Sequence, residues 1–560
     1  MATAGAGGPG EEAPHVVVLG AGYVPLRICR RLRGPMKRGE VRVTVVGREN
    51  FQAFHGFIGE MITGRVSASH ILSPVRRVFA PAVVHTAEIE RIDLDRRRIV
   101  TSRHLDGSRI ELTYDQLVIC LGTEERLDVY PGLAEHAFRL KAYADDFRLR
   151  NHIIEMFELA DIEPDPVERR RLLTFFVAGG GYAGTEVAGE LAHLSQLLTA
   201  RDYPGLAQDE CRVVLVEPGP NIVPELYKAG IQSAKAHPRL GEKAVKRMEF
   251  LGVEVRTDTL VAAVTPNEVT LSTGERIPTR TVISTVGTKP NRLVERLALE
   301  KDERGRIKTD WALRVPGHPG VWAGGDCAHV PNPQGAGGCP PVGVYAVHHG
   351  NQIGRNIAYG LRGRRPRRFH FPGIGQGASV GRRYAVAELK GIEIWGLPAW
   401  LIWRFLLFCY FPSWDRRLRL LADWMIWPFV GRDIVHLRVD RKEDITVREG
   451  HFQPGEVIMR EARTGSFIHV IAQGQVELLL EGAEDERVLA TLGPGDQFGA
   501  RWVESFEPEV ARAKTAVRTL IMRRDQAPQL QDIMRSAQRI MAESGHFPAI
   551  IPGVTPPPGP

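Results

Sequence analysis

The segment LLTFFVAGGGYAGTEVAGELAHL, residues 172–194, decides the fold of this chain. It opens with an apolar run, Leu172 to Ala178, that is rich in β-branched and aromatic residues and predicts a buried parallel strand. Gly179, Gly181 and Gly184 follow at the spacing G-x-G-x-x-G, and apolar residues then recur at helical intervals. A strand that ends on glycines and continues as a helix directs free backbone amides at one point, which suits a pyrophosphate.

The residues that follow complete a dinucleotide-binding pattern. The stretch RVVLV at 212–216 predicts the next strand, and Glu217 at its end places a carboxylate where it can accept both ribose hydroxyls. A G-x-G-x-x-G motif alone is weak evidence for a nucleotide site, because glycine provides 58 of the 560 residues and such a spacing can arise by chance. The strand, the helix and the acid together favour a dinucleotide site over an ordinary strand–turn–helix.

A second glycine loop stands near the beginning of the chain. HVVVL at 15–19 predicts another buried strand, and Gly20 and Gly22 follow it. Pro25 replaces the third glycine of this loop. Near a helix start its missing N–H would be unpaired anyway, so we expect Pro25 to affect only the packing of helix on strand.

The strand after this loop ends without the expected acid. VRVTVV at 41–46 is followed by Gly47, Arg48 and Glu49, although an Asp or Glu is typical at the first of these positions. Two interpretations are open. Either Glu49 reaches the ribose, or Arg48 contacts a phosphate.

A hairpin followed by a buried strand occurs twice. Residues 98–123 contain a predicted hairpin around 106–107 and a strand that ends at Gly122, and residues 259–288 repeat this order and end at Gly287. The repetition predicts two related nucleotide-binding units, the second inserted into the first. VWAGGDCA at 321–328 closes the outer unit and places Asp326 after a buried strand.

Composition narrows the classes of protein. A chain of 560 residues predicts about three domains. The 6 cysteines are scattered without a C-x-x-C pair, which argues against a disulfide framework or a metal site and for a reducing compartment. Residues 1–14 predict a disordered tail and not a signal peptide. The net charge of +7 includes a basic run at 362–368 without interleaved aromatics, so we expect no nucleic-acid partner.

An aromatic segment follows the second unit. Residues 395–427 are dense in Trp, Phe and Tyr, but Arg404, Pro412 and the charges at 415–419 divide them into runs too short to span a bilayer. Such a composition with flanking arginines is typical of helices that lie in the lipid interface. We predict a membrane-associating segment over 391–438, with a dimer interface or a buried helical pair as the alternative.

Short alternating strands with Gly and Pro turns occupy 439–525 and predict a small all-β jelly roll. The landmarks P-G-E, G-x-V-E and G-P-G-D-x-F-G resemble a cyclic nucleotide-binding domain. That resemblance places Ala500 where the family has the ribose-binding Glu, and Lys514 where it has the phosphate-binding Arg. We therefore expect no tight cyclic-nucleotide binding, and a role in regulation or assembly. Residues 526–560 predict a helix and a Pro-rich tail.

The two glycine loops, GGDCA at 324–328 and PVGVYAVHHG at 341–350 resemble the flavoproteins with two dinucleotide-binding domains. Among these the chain is most similar to the type II NADH:quinone oxidoreductases, from residue 15 to about 437. The resemblance implies an α/β fold of two nested Rossmann-like domains, with FAD in the outer one (15–145 and 290–390) and NADH in the inserted one (146–289). It also implies a membrane quinone as acceptor, no proton pumping, and a peripheral position on the cytoplasmic face of the membrane.

The resemblance also assigns roles to residues. It implies FAD contacts at Gly20, Gly22, Arg48, Gly122 and Asp326, NADH contacts at Gly179, Gly181, Gly184, Glu217 and Gly287, and catalytic roles for Glu186, His348 and His349. Glu186 matches a carboxylate near the nicotinamide and the flavin ring, and the His pair stands where the family usually has Gln beside the quinone. The histidines either supply protons or only form hydrogen bonds under the flavin. The segment 56–60, GFIGE, departs from the family pattern.

Two other functions stay open at this level. Pro25 and Gly47 are also compatible with an NADH-binding redox sensor or scaffold that has lost FAD or turnover, and a soluble flavoprotein reductase of a protein partner is a further alternative. A disulfide reductase is disfavoured because Cys29 has no partner in the same helix. Cys120 and Cys327 follow strands and are expected to be buried filler. A homodimer stays open.

Overall fold

The computed structural model describes residues 13–102, 109–229, 232–335, 337–426, 429, 432–436, 448–460, 467–481, 486–499 and 509–523. Two five-stranded parallel sheets organise its larger part, one in an outer unit and one in an inserted unit. The predicted residues 1–12, the turn at 106–107, Ala500 and the segment 526–560 lie outside the described residues.

The outer unit is built on the strand His15–Leu19. The order across its sheet is Val321–Ala323, Gln116–Ile119, His15–Leu19, Arg42–Gly47 and Val83–Thr86. The four apolar residues of the central strand, 16–19, are fully buried because both faces of a parallel sheet are covered. Helices Tyr23–Lys37 and Gly343–Gly360 pack on each other closely, since a Cβ at Gly350 would lie 2.3 Å from the carbonyl oxygen of Val24.

The inserted unit is built on the strand Thr174–Ala178. The order across its sheet is Ala137–Phe138, Thr281–Ser284, Thr174–Ala178, Arg212–Val216 and Val253–Arg256. Its helices are Tyr143–Ile162, Pro166–Leu172, Tyr182–Arg201 and Pro238–Phe250. Asp165 caps one of them by accepting a hydrogen bond from the amide of Val167 at 2.9 Å.

The two units are nested as the repeated pattern predicts. In sequence, the whole inserted sheet falls between the strands Gln116–Ile119 and Val321–Ala323 of the outer sheet. The chain crosses between the units on two antiparallel strands, Thr123–Glu125 and Thr288–Pro290, which pair with each other. The finer domain bounds stay predictions.

Smaller elements complete the two units. Antiparallel sheets are formed by Glu88–Asp93, Arg98–Ser102 and Arg109–Thr113, by Val261–Val264, Glu268–Leu271 and Arg276–Pro278, and by Phe51–Ala53 with Leu72–Pro74; Ile307–Lys308 and Ala328–His329 form a parallel pair. Short helices are Ile58–Ile62, Val75–Val78, Leu133–His136 and Arg292–Arg296, with 3₁₀ turns at His55–Phe57, Ala68–Ile71, Gln208–Glu210 and Pro224–Tyr227.

A further three-stranded antiparallel sheet, which we call the third sheet, leads to the aromatic segment. Its strands are Gln376–Ser379, Ala385–Leu389 and Ile392–Gly396. Two helices follow, Leu397–Tyr410 and Trp414–Ile426, which we call the foot helices. Within the described residues, no helix combines the length and the apolar character needed to cross a bilayer.

The C-terminal strands form a β-roll of two antiparallel four-stranded sheets. One contains Arg448–Phe452, Val517–Arg523, Phe467–Gln473 and Gln497–Phe498, and the other Val457–Arg460, Glu509–Ala513, Val476–Glu481 and Glu486–Leu492. This β-roll contacts the inserted unit. Buried Glu456 accepts a hydrogen bond from the Thr265 hydroxyl at 2.7 Å, and the Asn267 amide donates to the carbonyl oxygen of Val457 at 3.3 Å.

Candidate active site

The glycine loop of the inserted unit holds Glu217 in place. The two oxygens of its carboxylate accept hydrogen bonds from the backbone amides of Gly180 at 2.7 Å and Gly219 at 3.1 Å. Gly179 has φ +103°, which side chains rarely adopt, and its amide donates to the Val216 carbonyl at 2.8 Å. The predicted glycine loop and the predicted acid therefore lie side by side in the structure.

Gly184 is required by close packing between helix and loop. A Cβ at this position would lie 1.9 Å from the carbonyl oxygen of Gly179 and 2.7 Å from the Thr285 hydroxyl oxygen. Thr285 donates to the carbonyl oxygens of Ala178 and Gly179 at 2.8 Å each, which fixes the end of the strand. The helix Tyr182–Arg201 can therefore point its amide end directly at the loop.

A cavity of about 200 Å³ opens over this loop. The glycine loop, the Glu217 carboxylate and several apolar side chains line this cavity. The lining residues are Tyr130, Ala178, Gly179, Gly181, Val216, Glu217, Pro218, Pro224, Thr259, Val261, Thr285 and Val286. Gly287 follows this lining with φ +101°. The arrangement offers backbone donors for phosphate, a carboxylate for ribose hydroxyls and an apolar face for a base.

The outer unit repeats this geometry. Gly20 has φ +112°, and a Cβ there would lie 2.3 Å from the carbonyl oxygen of Cys120. Gly22 immediately precedes the helix that begins at Tyr23. Apart from the adjoining residues, no atom of the described residues lies within 4 Å of a Cβ built on Gly22 or on Gly122. The faces of these two glycines are therefore open. Pro25 falls in the first turn of the helix, where proline is tolerated.

Gly47 is explained by contact with the glycine loop. A Cβ at Gly47 would lie 2.6 Å from the Cβ of Ala21, so the close approach leaves no room for the expected acid. The guanidinium of Arg48 donates to Glu88 at 2.6 Å and 3.0 Å. Arg48 thus has an acidic partner on the neighbouring antiparallel sheet, and its proposed phosphate contact stays a prediction.

Asp326 lies at the end of the outer sheet, as predicted, with its carboxylate 3.9 Å from the ammonium group of Lys141. Tyr23, on the loop side, accepts a hydrogen bond from the amide of His55 at 3.3 Å. The open glycine faces, the amide end of the Tyr23 helix and this carboxylate are the groups that a flavin dinucleotide needs. The residues present fit FAD, although the ribose acid is missing at Gly47.

Glu186 stands one turn into the helix that begins at the glycine loop of the inserted unit. Its carboxylate accepts a hydrogen bond from the amide of Ser379 at 3.0 Å. Burial, together with the neighbouring carboxylates of Glu60 and Glu190, outweighs this hydrogen bond and raises the pKa of Glu186 to about 7. A group with that pKa can give or take a proton at neutral pH.

The two histidines have different surroundings. The Nδ1 atom of His349 accepts a hydrogen bond from the amide of Gly325 at 3.1 Å, so the ring proton is on Nε2. This nitrogen is buried and finds no partner among the described residues. The His348 ring stacks on Phe371 with centroids 3.6 Å apart, and its Nε2 lies 3.4 Å from the Tyr410 hydroxyl of the first foot helix. Burial lowers the pKa to about 4 for His348 and about 3 for His349, so both are neutral at pH 7.

Some site residues were not predicted from the sequence. The hydroxyl of Tyr182 donates to the Gln376 side chain at 3.0 Å, which joins the glycine-loop helix to the third sheet. Glu225 lies beside Gly181 and has a buried carboxylate oxygen that forms no hydrogen bond within the described part of the chain. The position of Tyr182 inside G-x-G-x-x-G was a usable signal, whereas Gln376 and Glu225 are brought in by the fold.

Of the two β-roll positions compared with cyclic nucleotide-binding domains, Lys514 is among the described residues and Ala500 is not. Lys514 pairs with Glu477, at 3.0 Å between its ammonium nitrogen and the carboxylate. The predicted absence of tight cyclic-nucleotide binding stays a prediction.

Comparison with known proteins agrees with this geometry. The profile of the pyridine nucleotide-disulphide oxidoreductase family matches residues 14–350, and that of the cyclic nucleotide-binding domain matches 449–534. The type II NADH:quinone oxidoreductase NdhA of Mycobacterium tuberculosis is 30% identical over 436 residues, which are 75% of this chain and 87% of NdhA. Demethylphylloquinone reductase NdbB of Synechocystis is 27% identical over 75% of this chain and 97% of its own length.

The solved structures that resemble this chain include NDH2 of Plasmodium falciparum in complex with NADH. That structure is 15% identical to this chain, has a TM-score of 0.68, and is matched over 75% of this chain and 99% of its own length. Sulfide:quinone oxidoreductase of Aquifex aeolicus has a TM-score of 0.56 at 14% identity, with 75% of this chain and 96% of its own length matched. At such identities the likeness shows the fold.

Proposed function

Since this chain belongs to the pyridine nucleotide-disulphide oxidoreductase family, and within it to the type II NADH:quinone oxidoreductases, we propose that it oxidises NADH and reduces a quinone dissolved in the membrane. FAD in the outer unit is the intermediate carrier. Bound FAD would accept a hydride from NADH and pass two electrons to the quinone. Family membership favours this enzyme over the redox-sensor and protein-reductase alternatives.

Each dinucleotide is held by one glycine loop. In the inserted unit, the NADH pyrophosphate lies against Gly179 and Gly181 at the amide end of the Tyr182–Arg201 helix, and Glu217 accepts the adenosine ribose hydroxyls. A carboxylate at this position also disfavours the additional phosphate of NADPH. In the outer unit, Gly20 and Gly22 bind the FAD pyrophosphate and Asp326 contacts the ribityl chain or its phosphate.

We propose that the quinone binds between the flavin and the foot helices. His348 contacts Tyr410 of the first foot helix, and His349 contacts the backbone next to Asp326. Both rings are neutral at pH 7, so we assign them hydrogen bonding and shape rather than a charge. Glu186, whose pKa lies near 7, is the proton donor or acceptor of this site.

The foot helices supply the membrane contact. Exposed apolar side chains follow one another at helical intervals, with Leu401 54% and Phe405 65% exposed on the first helix and Leu418 64% and Met425 72% on the second. Arginines at 416, 417 and 419 flank this surface. An apolar helix face with flanking arginines binds in the headgroup region of a bilayer. We place the enzyme as a peripheral protein on the cytoplasmic face, and a homodimer stays open.

One observation carries the proposal. Glu186 lies one turn from the NADH loop and shares a cavity with Trp400, Arg404 and Leu407 of the first foot helix. A single helix thus links the nucleotide site to the membrane segment.

The test is NADH-dependent reduction of decylubiquinone or menaquinone by the full chain in phospholipid vesicles. We expect turnover with NADH that is at least tenfold faster than with NADPH. Reduction of the flavin by NADH without transfer to any quinone would contradict the quinone assignment.

The β-roll is proposed as a regulatory or assembly module without tight cyclic-nucleotide binding. Its contact with the inserted unit, through Glu456 and Thr265, supports an intramolecular role. Calorimetric titration with cyclic AMP and cyclic GMP tests this, because binding at micromolar concentration would contradict it.

A further inference from the structure

A buried ion pair joins the first foot helix to the surroundings of Glu186. The guanidinium of Arg404 pairs with the carboxylate of Glu60, and both side chains are about 90% buried. Arg404 also lies between two indole rings, with its guanidinium carbon 4.2 Å from the ring centre of Trp400 and 4.5 Å from that of Trp424. Cation–π contacts on both sides fix the guanidinium in place.

Glu60, Arg404 and Glu186 line the same small cavity. The cavity measures about 20 Å³, which is room for a single water. Glu60, Glu186, Glu190 and Arg404 all line it, with Ser379 on the same wall. A water in this position would have several polar partners and would connect the carboxylates by hydrogen bonds.

The second carboxylate that acts on Glu186, that of Glu190, has two arginine partners. Glu190, on the same helix, lies 3.0 Å from Arg65 and 3.8 Å from Arg432. Tyr182, on the same helix, interacts with Glu186 and also with Glu225 and Glu388. Arg382 lies near the arginines that surround Glu190, as does His193. His193 is neutral at pH 7, because burial lowers its pKa to about 3. From the foot helices, Arg404, paired with Glu60, is the charged residue that lines the cavity.

We propose that Glu60 and Arg404 are positioning residues for Glu186: their ion pair balances the charge beside this carboxyl group and holds the water through which it is reprotonated during quinone reduction. The proposal rests on the proposed function. It also explains the segment 56–60, whose GFIGE sequence supplies Glu60 and places Gly56 where a Cβ would lie 3.0 Å from the Leu407 side chain.

The proton balance defines the step. Reduction of a quinone by NADH consumes one proton from solvent, since the hydride carries two electrons and one proton and the hydroquinone holds two. Glu186 donates the solvent-derived proton to a quinone oxygen, and the O–H bond of the carboxylic acid breaks. The carboxylate then takes a proton from the cavity water, which regains one from solvent, so that no hydroxide remains in the cavity. Neither Glu60 nor Arg404 changes its own protonation in this step.

The test is the pH dependence of quinone reduction in three variants. In Glu60→Gln the positive charge of Arg404 remains and favours the Glu186 carboxylate, so the alkaline limb of the pH–rate profile moves to lower pH, by about one unit. In Arg404→Gln the negative charge of Glu60 remains and the limb moves to higher pH. The double variant Glu60→Gln/Arg404→Gln returns to within about 0.3 units of the wild type, because both charges are gone.

Opposite shifts that cancel in the double variant are not expected from a purely structural pair, which would only lower stability. The matched control is Asp302→Asn, which removes the acid of a similarly buried pair with Arg306 in the outer unit, and we expect no shift there. A second readout does not need turnover. Quenching of Trp400 and Trp403 fluorescence by decylubiquinone should show the same shifts in its pH dependence, since both rings line the cavity.

The outcomes separate the two proposals. A wild type without quinone reduction at any pH contradicts the proposed function. An active wild type whose pH profile is unchanged in both single variants contradicts the positioning role alone. Shifts of the same sign in both single variants contradict it as well.

Discussion

The Glu217 carboxylate accepts a hydrogen bond from the backbone amide of Gly180 at 2.7 Å, so the ribose acid and the phosphate loop of the inserted unit form one rigid structure. This contact explains why an acid at the end of one strand can orient a ligand bound at the end of its neighbour. The same contact is absent from the outer loop, where Gly47 packs on Ala21.

Glu217→Gln is expected to weaken NADH binding by ten- to a hundredfold, because hydrogen bonds to a charged acceptor are worth about 1.5–3 kcal/mol. Calorimetric binding of ADP-ribose measures this without turnover. The control is Glu275→Gln, which changes a half-exposed acid of the same unit and should leave the affinity unchanged. Equal affinities in Glu217→Gln and the wild type would rule out the ribose contact.

His348→Gln/His349→Gln is expected to leave the pH–rate profile between pH 6 and 8 unchanged. Burial lowers the pKa of both imidazoles to about 4 or below, so neither gains or loses charge in that range. We expect a higher KM for quinone instead, since the contact between His348 and Tyr410 is disturbed. A change in the shape of the profile would show that one of the rings carries the proton.

Removal of apolar side chains from the foot helices is expected to release the protein from vesicles. Phe405→Ser with Leu418→Ser should reduce the fraction that co-sediments by at least tenfold, because burial of each side chain is worth about 1.5–3 kcal/mol. Ile162→Ser is the control, since Ile162 is 77% exposed but lies on a helix of the inserted unit. Equal release in control and double variant contradicts a specific membrane surface.

Glu456→Gln is expected to stabilise the protein at pH 8 but not at pH 4. Burial raises the pKa of Glu456 to about 7, so the folded state favours the neutral acid. That contribution is complete below the unfolded pKa and is lost as the pH rises through about 7, at a cost of up to about 3 kcal/mol. Thermal unfolding at the two pH values measures the effect. A variant that is less stable than the wild type at pH 8 contradicts this account of the contact with Thr265.

Local patterns were enough to predict the nesting of the two units. The run at 15–19 is a buried parallel strand, and the run at 172–178 contains one from Thr174 to Ala178, since Leu172 still belongs to the preceding helix. The first glycine after each strand, Gly20 and Gly179, has positive φ. The amphipathic make-up of 395–427 likewise becomes two helices with an exposed apolar face. In each case the signal is the spacing of apolar residues or the presence of a turn residue, and both determine structure within a few positions of the chain.

Contacts over long sequence distances could not be predicted in this way. Arg404 interrupts an apolar run and indicates only that the run is too short to span a membrane, yet its partner Glu60 is 344 positions away. The neutral state of His348 and His349 likewise depends on burial by other elements, whereas the unperturbed pKa of imidazole is about 6.5.

The central claim is that two nested nucleotide sites pass electrons from NADH through FAD to a quinone. The most direct measurement is the visible absorption spectrum of the purified full chain during anaerobic addition of NADH, followed by decylubiquinone. We predict a bound flavin with absorption near its usual maxima that bleaches with NADH and returns with the quinone. A protein that contains no flavin, and binds none when FAD is supplied, would contradict the account.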